Sequence, residues 1–159
     1  MFETIIKNES REINNETFLD YISGYLSSDL NYISNLSNMA AIIKEFFEDI
    51  SWVGFYLYDG ELLYLGPFQG KPACVEIELG KGVCGQSALL NETKVVPNVL
   101  EFEGHIACES DTLSEIVLPI YKNKKLFGVL DLDSHTLNRF DDIDKETLEK
   151  AVNLLVDIL

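Results

Sequence analysis

"SWVGFYLYDGELLYLGPF", residues 51–68, decides the fold. Two runs rich in aromatic and branched residues flank Asp59-Gly60, a dipeptide that favours a tight β-hairpin. In the first run, Trp52, Tyr56 and Tyr58 fall on one side of an extended chain, and Val53, Phe55 and Leu57 on the other. Both sides are apolar, which predicts a strand covered on both faces. The aliphatic side serves a core. The aromatic side can serve a core or the wall of a pocket.

Beyond the hairpin, "ACVEIELG" at 73–80 alternates and reads as a strand, and "KVVPNV" at 94–99 as a brief extended piece. Between them, "GVCGQSALLN" at 82–91 reads as a short helix. "SEIVLPIYKNKKLFGVLDLDS" at 114–134 is a second hairpin, turning at Asn123-Lys124. Before the sheet, "DLNYISNLSNMAAIIKEFFEDI" at 29–50 sets Leu30, Ile33, Leu36, Ala40, Ile43 and Phe47 on one helical face, with Asp29 as the expected cap. Residues 14–28 give a weaker helical pattern. After the sheet, Asp141 or Asp142 caps a last helix with Ile143, Leu148, Val152, Leu155 and Leu159 on one face. The order is helices, a mostly antiparallel sheet with a long inserted segment, then a helix. That is an α+β fold in one domain, not a repeated βαβ unit. The terminal helices cover one sheet face; the segment from about Gly80 to Thr112 faces the other and leaves room for a ligand.

A chain of 159 residues fits one domain and buries roughly two-thirds of its unfolded surface, so neither metal nor disulfide is needed for folding. The net charge of −15 argues against nucleic acid and anionic membrane as partners, because both repel it. "MFETIIKNES" carries no basic region followed by an apolar run, so no secretory leader is expected. Three cysteines cannot all pair within one chain, and their odd number predicts reduced thiols in the cytoplasm.

Three groups of residues can carry chemistry. Cys74 lies near a strand end, Cys84 at a helix start where amides and dipole favour a thiolate, and Cys108 in "GHIACES". Cys108 directly precedes Glu109, although reactive thiols usually sit in electropositive surroundings. It is either an inert buried thiol or part of a chemistry that wants protons near sulfur. Asp131 and Asp133 share a strand face, and Glu115 opens the partner strand. Crowded, part-buried carboxylates hold at least one proton and so can act as acids; a solvated sheet edge is the alternative. Trp52 and Tyr56 form the aromatic group. His105 and Cys108 are three apart, yet there is no CxxC pair, so no metal is expected, and His105 is read as a loop-orienting group.

"LGPFQGKPAC" (65–74), "GKGVCGQ" (80–86), "GHIAC" (104–108), "SEIVLPI" (114–120) and "GVLDLDS" (128–134), in that order, resemble the free methionine-(R)-sulfoxide reductase family. The likeness runs from about Ser51 to the C-terminus. It implies one GAF domain over 1–159, with helices at about 14–50, sheet and active-site loop at about 51–134, and a final helix at about 141–159. It implies Cys108 as the catalytic cysteine, Cys74 and Cys84 as disulfide partners with Cys74 the main one, and Glu115, Asp131 and Asp133 around the substrate. Trp52 is implied as a wall for the methyl group, with Tyr56 beside it. No cofactor is expected; the implied partners are free methionine-(R)-sulfoxide, thioredoxin as reductant, and a second copy in a homodimer. Asn98, Glu103 and Glu109 depart from the family pattern, all on the loop. Two competing readings remain: a sensory GAF module that binds a ligand without turnover, and a cysteine peroxide reductase, which an acidic thiol site disfavours.

Overall fold

Six strands form the centre of the computed structural model, which describes residues 10–106, 108 and 110–159. The residues before Ser10, including most of the stretch read for a leader, and Glu109 lie outside these. The strands are β1 (Trp52–Tyr58), β2 (Leu62–Gln69), β3 (Glu76–Glu78), β4 (Lys94–Val96), β5 (Ser114–Lys122) and β6 (Lys125–Ser134). Their spatial order is β3-β2-β1-β6-β5-β4, and every neighbouring pair runs antiparallel. The two central hairpins thus meet through β1 and β6. Asn123 and Lys124, with φ of 52° and 63°, both take the left-handed conformation that a two-residue hairpin turn matching strand twist requires.

Helices α1 (Arg11–Tyr25), α2 (Tyr32–Phe46) and α4 (Asp142–Ile158) supply one buried layer. Phe18, Ile22, Leu36, Met39, Ile43, Leu148 and Leu155 pack there against Val53, Phe55, Ile116, Leu118, Leu130 and Leu132 of the sheet. Each such side chain contributes about 1.5–3 kcal/mol by leaving water. The opposite sheet face carries a smaller layer, in which Trp52, Tyr56, Val117 and Val129 meet Val83, Cys84 and Ala88 of α3 (Gly82–Leu90). Alternation along β1, β5 and β6, broken once by a bulge in β6 opposite Ile120 and Tyr121, sends one set of residues to the helices and the other to α3 and its flanking loops.

Two expectations about helix ends are corrected. Asp29 does not cap α2: the helix begins at Tyr32, and the Asn31 side chain accepts from the Ile33 amide at 2.9 Å. Leu30 consequently lies before the helix, and Ile33 in its first turn. Both are about half exposed, as is Ile143 in the first turn of α4 (49%, 50% and 51%). In each case the apolar stripe outruns the surface on which the helix packs. Asp141 does cap α4, in a reciprocal box with Asp144. Among the described residues, no helix is long and apolar enough to cross a membrane.

Candidate active site

Register across the three central strands builds the floor of the site. Glu115 on β5 pairs with Asp133 on β6, and Asp133 pairs with Trp52 on β1. One row further along, Val117, Asp131 and Gly54 stand side by side in the same way. Residues two apart on a strand share a face, so Glu115, Asp131, Asp133, Trp52 and Tyr56 all point away from the helical layer. Helix α3 closes over them, together with His105, Ile106, Cys108 and Thr112. The resulting cavity is small in this disulfide-bonded form, about 30 Å³, room for little more than a water and far below the roughly 300–1,000 Å³ usual for ligand pockets.

Cys74 and Cys108 are joined by a disulfide across the rim of this cavity, with Cα atoms 5.3 Å apart. Cys84 is a free, buried thiol at the start of α3. Cys108 borders two compartments. In the first it faces Cys84, His105, Thr112, Glu115 and Asp131. In the second it faces Trp52, Tyr56, Pro72, Ala73 and the two aspartates. The Tyr56 hydroxyl donates to the Cys74 carbonyl at 3.1 Å, which ties the Cys74 strand end to β1.

Electrostatics in the first compartment are set by burial. Glu115 and Asp131 are each only 6% exposed. Desolvation, and then the charge of Asp133 on Glu115 and of Glu115 on Asp131, holds both carboxyls well above the ordinary carboxylate range. The Cys84 thiol is pushed up by burial and by the neighbouring Asp131 and Glu115, so it stays a thiol. It lies 4.0 Å from Glu115 Oε1. His105 Nε2 is 3.6 Å from Glu115 Oε2, and burial lowers its basicity. Asp131 Oδ1 and Thr112 Oγ1 are buried with no hydrogen-bond partner. Such oxygens are costly unless a ligand completes them. Cys84, Glu115 and Asp131 also offer one metal-ligating atom each within 4.8 Å of one another. Burial pushes the thiol and both carboxyls toward their protonated forms, which disfavours metal binding by the same three.

The structure thus gathers all eight residues singled out from the sequence: Cys74, Cys84, Cys108, Trp52, Tyr56, Glu115, Asp131 and Asp133. Of the three departures on the loop, Asn98 caps a short 3-10 turn, accepting from the Leu100 amide at 3.2 Å, and Glu103 is exposed; Glu109 lies outside the described residues. The sequence reading missed Thr112 and the Lys81–Val83 helix start. A lone threonine before a strand carries no signal of its own. Gly80 and Gly82 marked the helix start, but not its place in the lining.

The fold and this pocket define the chain as a GAF domain, and the GAF-domain family pattern matches residues 31–157. Free methionine-R-sulfoxide reductase of Saccharomyces cerevisiae is 43% identical, over 93% of this chain and 89% of its own. GAF domain-containing protein A of Dictyostelium discoideum is 48% identical, over 94% and 95% respectively. The structure of free methionine-R-sulfoxide reductase from Neisseria meningitidis in complex with its substrate superposes with a TM-score of 0.92 at 36% identity, over 99% of this chain and 95% of that one. The chain belongs to the free methionine-R-sulfoxide reductases, a family of oxidoreductases.

Proposed function

We propose that this protein reduces free L-methionine-(R)-sulfoxide to methionine. The observation that carries the reading is the Cys74–Cys108 disulfide at the rim of a pocket lined by proton-bearing carboxyls. A pocket that only binds a ligand has no use for a thiol pair there. The substrate named for the related reductases supports the same reading. Cys108 sulfur attacks the sulfoxide sulfur, while Glu115 gives its proton to the sulfoxide oxygen. The protonated oxygen then moves onto Cys108 sulfur as the S–O bond and the newly formed S–S bond both break, which releases methionine and leaves a Cys108 sulfenic acid. The Cys74 thiol then attacks Cys108 sulfur, water leaves, and the disulfide forms. An external dithiol returns both thiols by exchange and is itself oxidised. Asp131 and Asp133 hold the substrate ammonium, for which the unpartnered Asp131 Oδ1 is a ready acceptor. Trp52 seats the methyl group. Thioredoxin as that dithiol, a homodimer and a cytoplasmic setting belong to the same proposal. The half-exposed Leu30, Tyr32 and Ile33 at the start of α2 support the second copy.

The test is substrate choice. An enclosed acidic pocket suits a free ammonium and leaves an uncharged peptide nitrogen without its charge-assisted contacts, at a cost of about 1.5–3 kcal/mol each. Offered a racemic sulfoxide mixture and an N-acetylated, C-amidated analogue, the protein with dithiothreitol should consume the free R epimer at least tenfold faster than either alternative. Chiral chromatography follows each species. No methionine from folded protein sinks the reading; equal turnover of the blocked analogue shows that the acids do not read the amino group.

The two cysteines of the disulfide should separate by reductant. Cys74→Ser should stall after one turnover with thioredoxin, because no sulfur remains to resolve Cys108. A small thiol should still turn it over by reducing the sulfenic acid directly. Full thioredoxin-linked turnover, with a Cys84–Cys108 link in peptide maps, would reverse the assignment.

A further inference from the structure

Trp52 is the only tryptophan of the chain, and its ring does not occupy the space normally given to a strand side chain. Side chains on a strand usually stand away from the sheet. The indole instead lies over the next residue of its own face, Gly54. A Cβ built on Gly54 would come within 2.5 Å of Trp52 Cη2 and 2.4 Å of Phe68 Cβ. A Cβ on Gly70 would come within 2.4 Å of Trp52 Cδ1, at the opposite edge of the ring. Contacts below about 3 Å between carbons require something to move, and here the ring is held on other sides too. Phe68, the cross-strand partner of Gly54, stacks on it at 5.4 Å, and Tyr56 at 5.9 Å. Trp52 Nε1 donates to the Lys71 carbonyl at 3.1 Å.

We infer that Gly54 and Gly70 are specificity-determining positions: two missing side chains let the indole lie flat and fix how deep the methyl wall stands relative to Cys108. The inference rests on the proposed reaction, in which Trp52 is that wall. Gly54 also sits directly beside Asp131 across the β1–β6 ladder. An indole displaced from Gly54 moves into the compartment it shares with Cys108 and the two aspartates. The S epimer differs from the R epimer in where methyl and oxygen lie around sulfur. A wall at fixed depth accepts one and rejects the other; a displaced wall loses that distinction. Gly54 and Gly70 touch no reacting atom. They are positioning residues that act through Trp52.

Gly54→Ala tests this by epimer ratio rather than by rate alone. A one-carbon misfit in an apolar pocket is worth roughly 10–200-fold. Expected are a fall in kcat/KM for the R epimer of that order, a collapse of the R-to-S ratio by at least tenfold, and a shifted Trp52 emission maximum in the reduced protein. In a Trp52→Ala background, adding Gly54→Ala should change the ratio by much less than it does in the wild type, because the indole is gone and only the contact with Phe68 Cβ remains. General destabilisation moves neither ratio nor coupling. An unchanged ratio in Gly54→Ala overturns the proposal, as does an additive loss in the double variant. If Gly54→Ala yields no folded protein, Phe68→Leu removes the ring that backs Trp52 and must lower the ratio in the same direction; an unchanged ratio there overturns it too. If the wild-type protein reduces no free sulfoxide, the reaction assignment fails separately. Trp52 emission then decides, and identical emission from wild type and the variant overturns the clamp.

Discussion

Cys108→Ser is expected to turn over essentially no methionine sulfoxide, even in excess dithiothreitol. Turnover drops by roughly 10⁴-fold or more, since loss of a nucleophile removes the whole covalent route and leaves only binding and acid assistance. Serine keeps the shape of the side chain, and Cys108 sits on a loop at the pocket rim rather than in either packed layer. The fold should survive, and a far-ultraviolet spectrum matching that of the reduced wild type confirms it. The reason for so complete a loss is chemical. An alkoxide is a poor partner for sulfoxide sulfur, and the acidic pocket makes a serine harder still to ionise. Cys84 cannot stand in, because burial and the adjoining carboxyls keep it protonated. Measurable methionine production by the serine variant would mean that the nucleophile is another cysteine.

Glu115→Gln should lose about 10²–10⁴-fold in kcat, the range of a general acid's contribution. Glutamine preserves size and can still hydrogen-bond, but it has no acidic proton to give. The wild-type pH profile carries the sign. Glu115 is held above the ordinary carboxylate range by burial first and by Asp133 second, so it still bears its proton where a free glutamate has lost it. Activity is therefore supported below that raised value and declines as pH climbs through it. Asp131 is raised in the same way, by burial and by Glu115, so the limb reports the cluster as a unit rather than one side chain. In Glu115→Gln the residual rate should be flatter across that limb. A variant within threefold of wild type, or one with an unaltered alkaline limb, would move the proton donor elsewhere.

Much of this arrangement is legible in the chain because alternation with a period of two is a strong signal. "GVLDLDS" interleaves Val129, Asp131 and Asp133 with Leu130 and Leu132, and the two sets do go to opposite faces. Asn123-Lys124 marks its own turn. Cross-strand neighbours are different. Nothing local shows that Glu115 stands beside Asp133, and Asp133 beside Trp52, because the register depends on how two hairpins dock. The pairing of Cys74 with Cys108 spans 34 residues and is invisible to spacing; only the family likeness favoured Cys74 over Cys84. The cap of α2 was misread for a related reason, whereas that of α4 was not. Asp29 and Asn31 are both good caps, and the choice falls to the one whose oxygen meets a first-turn amide. Gly54 was the least legible residue. A glycine inside a strand reads as a weak point, and only the close approach of Phe68 Cβ and the indole to it gives it a purpose.

The two-faced strands have a consequence for how this domain can be altered over time. In β1, in β5 and in β6 beyond its bulge, alternate positions answer to different demands: one set fills the helical layer, and the other faces the pocket side. Point substitutions on the pocket set can change the guest while the rest of the chain is left alone. Insertion or deletion of a single residue cannot. It would turn Leu130 and Leu132 toward the carboxyl cluster and drive Asp131 and Asp133 into hydrocarbon, destroying both layers at once. A lineage built on this sheet can revise its ligand letter by letter, while the spacing around Asp131 and Asp133 stays frozen and length variation is confined to the turns, the loops and bulges such as those already present in β2 and β6.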